Sequence, residues 1–195
     1  MKIKIILASQ SKVRKTILNS NGIDCEVVPS NIDEDSVKAS LVKLDASPEM
    51  ISKNLAELKA NKISLKFNDR IVVGADSVID LKGNVISKPN NRVEALEILK
   101  SLNNETHHLI SSVCISKNGK MIWNYTDKAQ LTMKKFSLDE LKSYLSNIKD
   151  ESLYSYNVYQ IESDGRQLFS EIDGDVDTIM GLPIKKIKEY LAQLQ

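Results

Sequence analysis

The turn Ser9-Gln10-Ser11-Lys12, with Arg14 and Lys15 close behind it, sets hydroxyls and cations where a strand feeds a helix. The free backbone N–H groups of a helix N-terminus bind phosphate. Positive side chains in a first turn oppose the helix dipole unless an anion sits there; the plainer alternative is a solvated basic face. Asp76 follows the apolar run Ile71-Val72-Val73 through Gly74 and Ala75. Ligands of open α/β sheets bind beyond the carboxyl ends of strands, and an aspartate there suits magnesium binding or the activation of water. Its bland reading is a turn residue that caps the next segment. Asp33-Glu34-Asp35 reads as an acidic loop. It either helps to hold magnesium together with substrate phosphate or is simply exposed.

Lys59 falls between Leu55 and Ile63 on one helical stripe at about 100° per residue, and Lys62 shares that stripe. A lysine so placed either snorkels to water or meets an anion. Lys88 is followed by Pro89, which fixes the backbone just past it. His107-His108 read as a buried or surface pair rather than a metal site, and Trp123 as part of the core. No Walker A or G-x-G-x-x-G loop occurs, which removes support for P-loop and dinucleotide-binding readings.

The elements that must position these residues alternate. Ile3 to Ala8 and Cys25 to Val28 are apolar enough for strands, with a helix from Lys12 to Asn21 between them and Gly22 in the terminating position. Ser47-Pro48-Glu49 opens a helix that continues to about Lys66. The run from residue 71 to 76 is a strand, and Ser77 to Lys88 is a hairpin turning at Lys82-Gly83-Asn84. Asn91 with Glu94 caps a helix from Arg92 to Leu102. Two strands, His108 to Ser116 and Met121 to Thr132, meet at Asn118-Gly119. Ser137 with Glu140 starts a helix to about Lys149. Short strands are expected at 158–161 and 168–172, and a last helix opens at Pro183. Interleaved helices and strands with two hairpins mean an α/β protein with a mixed sheet.

Composition narrows the function classes. The 195 residues suggest one domain spanning 1–195. The net charge of +1 excludes a generally basic nucleic-acid-binding surface. Arg14, Arg70, Arg92 and Arg166 are the only arginines, so a bidentate grip on phosphate must use one of them. Cys25 and Cys114 are far apart and have no neighbouring ligand pattern, which argues against a disulfide framework or structural zinc. Apolar runs such as Ile5-Ile6-Leu7-Ala8 are too short for a membrane span or a secretory signal, so a cytoplasmic protein without membrane or nucleic-acid partners is expected.

Leu7-Ala8-Ser9-Gln10-Ser11 then Arg14, Ile32-Asp33-Glu34, Leu55-Ala56-Glu57-Leu58-Lys59-Ala60, Gly74-Ala75-Asp76-Ser77, Lys88-Pro89, Thr106-His107 and Gly181-Leu182-Pro183 occur in that order. In this the chain closely resembles the Maf, or septum-formation, family of nucleoside triphosphate pyrophosphatases, from about residue 3 to residue 194. The resemblance implies a mixed central sheet flanked by helices, with two lobes and a cleft, like that of inosine triphosphate pyrophosphatases. It implies cleavage of a nucleoside triphosphate to monophosphate and pyrophosphate, a divalent cation (magnesium or manganese) and a homodimer. By motif match Asp76 is the catalytic aspartate. Glu34, Lys59 and Lys88 fall on further catalytic positions, and Ser9, Ser11 and Arg14 on substrate-binding ones. Asp76 and Glu34 are the expected metal ligands.

Some positions depart from the pattern. The UTP- and dTTP-acting branch carries Arg at Val13. The branch resembling 7-methyl-GTP pyrophosphatases carries an aromatic there, followed by two basic residues; here Val13 precedes Arg14 and Lys15. Glu162, expected to bind substrate, stands where the first branch has Gln and the second Glu. Asn104 and Asn157 replace family glycines, and Asn tolerates left-handed backbone. The rival reading from another class is a nucleotide-binding regulator of cell division with little turnover.

Overall fold

The computed structural model describes residues 4–194, without the side chains of 154–156. Ile3, assigned above to the first strand, lies outside the described residues. Strand β1 (Ile5–Leu7) is buried along its whole length. It pairs in parallel with β2 (Cys25–Val27) on one side and β3 (Val72–Leu81) on the other. β3 turns through β4 (Asn84–Ile86) as a hairpin. It also runs antiparallel to β5 (Thr106–Lys117), which pairs with β6 (Lys120–Met133), which pairs with β7 (Phe169–Asp173). The sheet order is β2-β1-β3-β5-β6-β7 with β4 on β3. The mixed sheet is the one expected.

Helix α1 (Lys12–Ser20) is capped by Ser11, whose hydroxyl accepts from the Arg14 N–H. Helix α2 (Glu34–Lys43) is a correction, because residues 33–35 are not a loop. Asp33 is the N-cap, accepting from the Ser36 N–H at 3.0 Å and the Ser36 hydroxyl at 2.7 Å, and Glu34 opens the helix. The acidic run is thus an N-terminal helix signal, favoured by the macrodipole. Helix α3 (Pro48–Ser64) starts at the Ser47 cap. Helix α4 (Arg92–Leu102) has its Asn91 cap, and α5 (Leu138–Ser146) its Ser137–Glu140 capping box. α5 ends earlier than expected, at Asn147, and a separate helix α6 (Asp150–Tyr156) follows. Helix α7 (Val176–Ile179) is short and α8 (Ile184–Gln193) closes the fold.

Residues 158–161 are not a strand. Asn157, at φ 73°, turns the chain there. Val158, Tyr159 and Ile161 point into the core, while β7 takes the place beside β6. Asn104 sits at φ 59°, the left-handed backbone expected of it, whereas Asn157 combines φ 73° with ψ −167°, a conformation usually left to glycine.

The long strands serve two apolar clusters. Val73, Ala75, Val113 and Ile115 pack with Ile17, Leu18 and α8 residues Ile187 and Leu191. Further along the same strands, Ile79, Leu109, Leu131 and Met133 pack with Leu99, Leu102, Leu141 and Tyr144. These clusters are the cores of two lobes, and the polar segment Asp76-Ser77 of β3 lies between them. On the sheet's other face α3 comes very close to β3. A Cβ at Gly74 would lie 2.3 Å from the Ala56 carbonyl oxygen and 2.6 Å from the Ala60 nitrogen. Glycine on the strand and alanines on the helix permit this approach, which sets Lys59 beside Asp76. Among the described residues no helix is long and apolar enough to cross a membrane.

Candidate active site

Asp76 does not stand at the end of its strand, as the apolar run suggested; β3 continues to Leu81 because it pairs with β5 from Val72 to Asp80 and with β4 at its end. It does stand beyond the parallel part, whose register with β1 ends at Leu7 and Val73. The chain after β1 opens away there, and Ser9 and the Asp76 side chain face the gap. Asp76 is buried. Its Oδ1 accepts from the Lys59 ammonium at 2.8 Å, and its backbone carbonyl accepts from the Ser52 hydroxyl at 3.0 Å. Its Oδ2 is buried without a hydrogen-bond partner.

Of the two readings of Lys59, the structure shows the second: it does not snorkel but meets anions, the carboxylates of Asp76 and Glu34. It is 4% exposed and donates also to Glu34 Oε1, at 2.9 Å. One ammonium therefore ties together carboxylates from β3 and α2. Burial alone would raise the Glu34 pKa, but the charge and hydrogen bond of Lys59, with Lys38 and Lys88 nearby, bring it below the ordinary glutamate value. Lys62, which shared the stripe, points out and donates to the Asn31 carbonyl.

Arg14 is a fastener as much as a ligand. Its Nε donates to the Gly181 carbonyl at 2.9 Å, Nη1 to the Ala75 carbonyl at 2.8 Å and to Ser9 Oγ at 3.4 Å, and Nη2 to Ser77 Oγ at 3.1 Å. Four of its five N–H donors are spent within the protein, so its part in holding an anion is mostly as a charge. Burial lowers its pKa, with Asp76 and Glu34 opposing. Ser9 also accepts from the Ser11 N–H, and Ser11 caps α1, so both hydroxyls shape the turn.

These groups line a cavity of about 610 Å³. Its walls are the Ser9–Arg14 turn, the start of α2, the β3 segment, Lys88 and the loop Asn157–Glu162. All eight site residues expected from the sequence border it. Lys88 stands exposed at the rim; partial desolvation and the Arg14 charge lower its pKa, against the pull of Glu34. Glu162 is exposed on the opposite loop and makes no hydrogen bond or ion pair among the described residues. His107 is fully buried beneath that loop, its Nε2 hydrogen-bonded to the Tyr159 hydroxyl at 2.8 Å and its Nδ1 without a hydrogen-bond partner.

The model of the family described as Maf-like protein matches residues 4–194. The chain belongs to the Maf family. A curated relative from Pelagibacter ubique, named nucleoside triphosphate pyrophosphatase, is 69% identical over 96% of both chains. One of that name from Caulobacter vibrioides is 40% identical over 96% of this chain and 94% of its own. A 7-methyl-GTP pyrophosphatase from Rhizobium etli is 35% identical over 98% of this chain and 96% of its own. Among solved structures, the Staphylococcus aureus Ham1 protein is a distant likeness, 12% identical, with TM-score 0.48 over 98% of this chain and 100% of that one.

Within this Maf chain the sequence reading missed a polar chain behind the site. Ser77 Oγ lies 2.8 Å from Ser111 Oγ, which donates to the Thr178 carbonyl, and Thr178 donates to Asp127 Oδ2 at 2.6 Å. The available signal was the pair Ser111-Ser112 inside an otherwise apolar strand. It also missed Ser52 and Lys38, the latter because residues 33–35 were read as a loop and no helix was expected after them.

Proposed function

We propose that the cavity hydrolyses a nucleoside triphosphate to the monophosphate and pyrophosphate, by attack of water on the α-phosphorus. The observation that carries this is the buried Asp76, held by Lys59 through one oxygen and left with the other unpartnered at the wall of a cation-lined cavity. Its relatives' names accord with it. Asp76 Oδ2 is the acceptor that orients the attacking water or binds a metal. Lys59 fixes the carboxylate and keeps a third N–H for a phosphate oxygen. Lys88, the charge of Arg14 and the α1 N-terminus balance the polyphosphate.

The residues present fit a magnesium or manganese ion. Among the described residues no cluster of three or more acidic, His or Cys groups is set to hold a metal. Asp76 Oδ2 and Glu34 supply the one or two carboxylates with which magnesium is commonly bound alongside substrate phosphates. The bound ion would supply Lewis-acid neutralisation of phosphate charge.

At the other end, Glu162 favours a base with adjacent donors. An ionised carboxylate only accepts, and guanine offers N1–H beside its amine, whereas uracil offers a single N3–H. Methylation at N7 adds positive charge. The preferred substrate is therefore a purine triphosphate, 7-methyl-GTP ahead of UTP and dTTP, by a modest margin because Val13 cannot stack as an aromatic would. Pyrophosphate release from a nucleotide panel with magnesium tests the reading. Release is expected to stop in EDTA and return when metal is added back. Binding of triphosphates without turnover would instead mark a regulator, and full activity in chelator would remove the metal from the account.

A further inference from the structure

We infer that Lys38, on the second turn of α2, is a binding residue for the pyrophosphate end of the substrate; this rests on the hydrolysis reading above. Glu34 and Lys38 stand four residues apart on α2, the spacing and orientation at which a glutamate and a lysine pair on a helix surface. They do not pair. The Glu34 carboxylate is taken by Lys59 at 2.9 Å, and Lys38 makes no ion pair or hydrogen bond among the described residues. Lys38 is half-buried at the cavity wall. Its charge is felt by Lys88, which likewise has no ion-pair partner among the described residues, so two ammonium groups face one end of the cavity. Glu34, near both, offsets part of their repulsion, and a further anion between them would offset the rest.

The layout gives the direction of the substrate. The attacked phosphorus lies at Asp76. Lys38 shares helix α2 with Glu34, whereas Glu162 lines the cavity from the separate 157–162 loop. The nucleoside therefore extends toward the 157–162 loop, and the β- and γ-phosphates extend toward α2. Lys38 meets the leaving group and not the reacting phosphorus.

The test compares wild type, Lys38→Met and Lys38→Arg by calorimetric titration with magnesium pyrophosphate and, separately, with a nucleoside monophosphate. Lys38→Met is expected to weaken pyrophosphate binding about tenfold, which is about 1.4 kcal/mol. Monophosphate binding should change less than twofold, the turnover loss should fall on KM, and Lys38→Arg should restore most of the pyrophosphate affinity. A urea midpoint equal to wild type keeps the comparison free of folding effects. Pyrophosphate affinity within twofold of wild type in Lys38→Met overturns the assignment, as does equal weakening of both ligands. If the wild type releases pyrophosphate from no triphosphate, the hydrolysis reading fails, and the pyrophosphate titration still decides Lys38.

Discussion

The two ends of the cavity are built in opposite ways. At the Asp76 end the groups in contact with the carboxylate and its strand are fastened, while Lys38 and Lys88 stand without ion-pair partners among the described residues. Lys59 bridges two carboxylates, Arg14 is spent on carbonyls and hydroxyls, and Gly74 lets α3 press against the strand. At the loop end Glu162 is exposed and unpaired among the described residues, and the loop is seated by the buried side chains of Val158, Tyr159 and Ile161 and by the hydrogen bonds of Tyr159 with His107 and of the Tyr144 hydroxyl to the Val158 carbonyl. The contrast separates chemistry from selectivity. On the proposed reading, the groups that would meet the reacting phosphorus are fixed before substrate arrives, whereas Glu162, proposed to face the base, is held by no hydrogen bond or ion pair among the described residues.

The sharpest way to break this comparison is Asp76→Asn. It keeps shape, and Lys59 keeps Glu34, so the variant should fold while losing at least ~10²-fold in kcat, the order expected when a general base or key ligand is removed. Wild-type turnover would move the chemistry to Glu34. Lys59→Met should lose activity and also stability. It strands the buried Asp76 carboxylate, and breaking a buried pair costs about 3–5 kcal/mol. Denaturant melts of Lys59→Met and of the double variant with Asp76→Asn check this, because the second change should return part of the loss.

The seat of the loop has its own signature in acid. Burial lowers the His107 pKa from 6.5 to about 4. Below pH 6.5 the unfolded chain takes up a proton that the folded chain refuses, so stability falls as pH drops from 6.5 to 4, by about 3 kcal/mol in all. His107→Gln removes that component. The gap between its stability-versus-pH curve and that of wild type should close toward pH 4; parallel curves would mean that the imidazole is not desolvated. The smallest effect is expected from Glu162→Gln, a shift of about five- to tenfold in relative kcat/KM toward UTP over 7-methyl-GTP. An unchanged ranking, or equal loss on all substrates, would take the base away from this loop.

Much of this was legible in sequence, for identifiable reasons. Capping pairs such as Asn91–Glu94 and Ser137–Glu140 marked helix starts, because a cap is a local hydrogen bond. Asp76 and Lys59 were legible as residues but not as a pair, since their contact depends on how closely α3 packs on β3. α2 was missed because it opens with Glu34, Asp35 and Ser36, and its apolar side chains Val37 and Leu41 are only partly buried, by tertiary contacts. The 158–161 segment has the composition of a strand but is turned by Asn157 into the lobe. Arg14 was read as a phosphate ligand because nothing local reveals that carbonyls of residues 75 and 181 will claim it.

That claim on Arg14 ties the pocket to the order in which the chain folds. The guanidinium joins partners 61 and 167 positions away along the chain. Closing a loop of the larger size can be rewarded only after both chain ends have docked, and contacts of such separation form late. A ribosome-bound chain ending near residue 150 already contains Ser9, Glu34, Lys59, Asp76 and Lys88, yet lacks Gly181, the acceptor that seats Arg14 Nε. The pocket is therefore completed only once the segment carrying Gly181 has been made, and a half-made chain carries the parts of the catalyst without the catalyst.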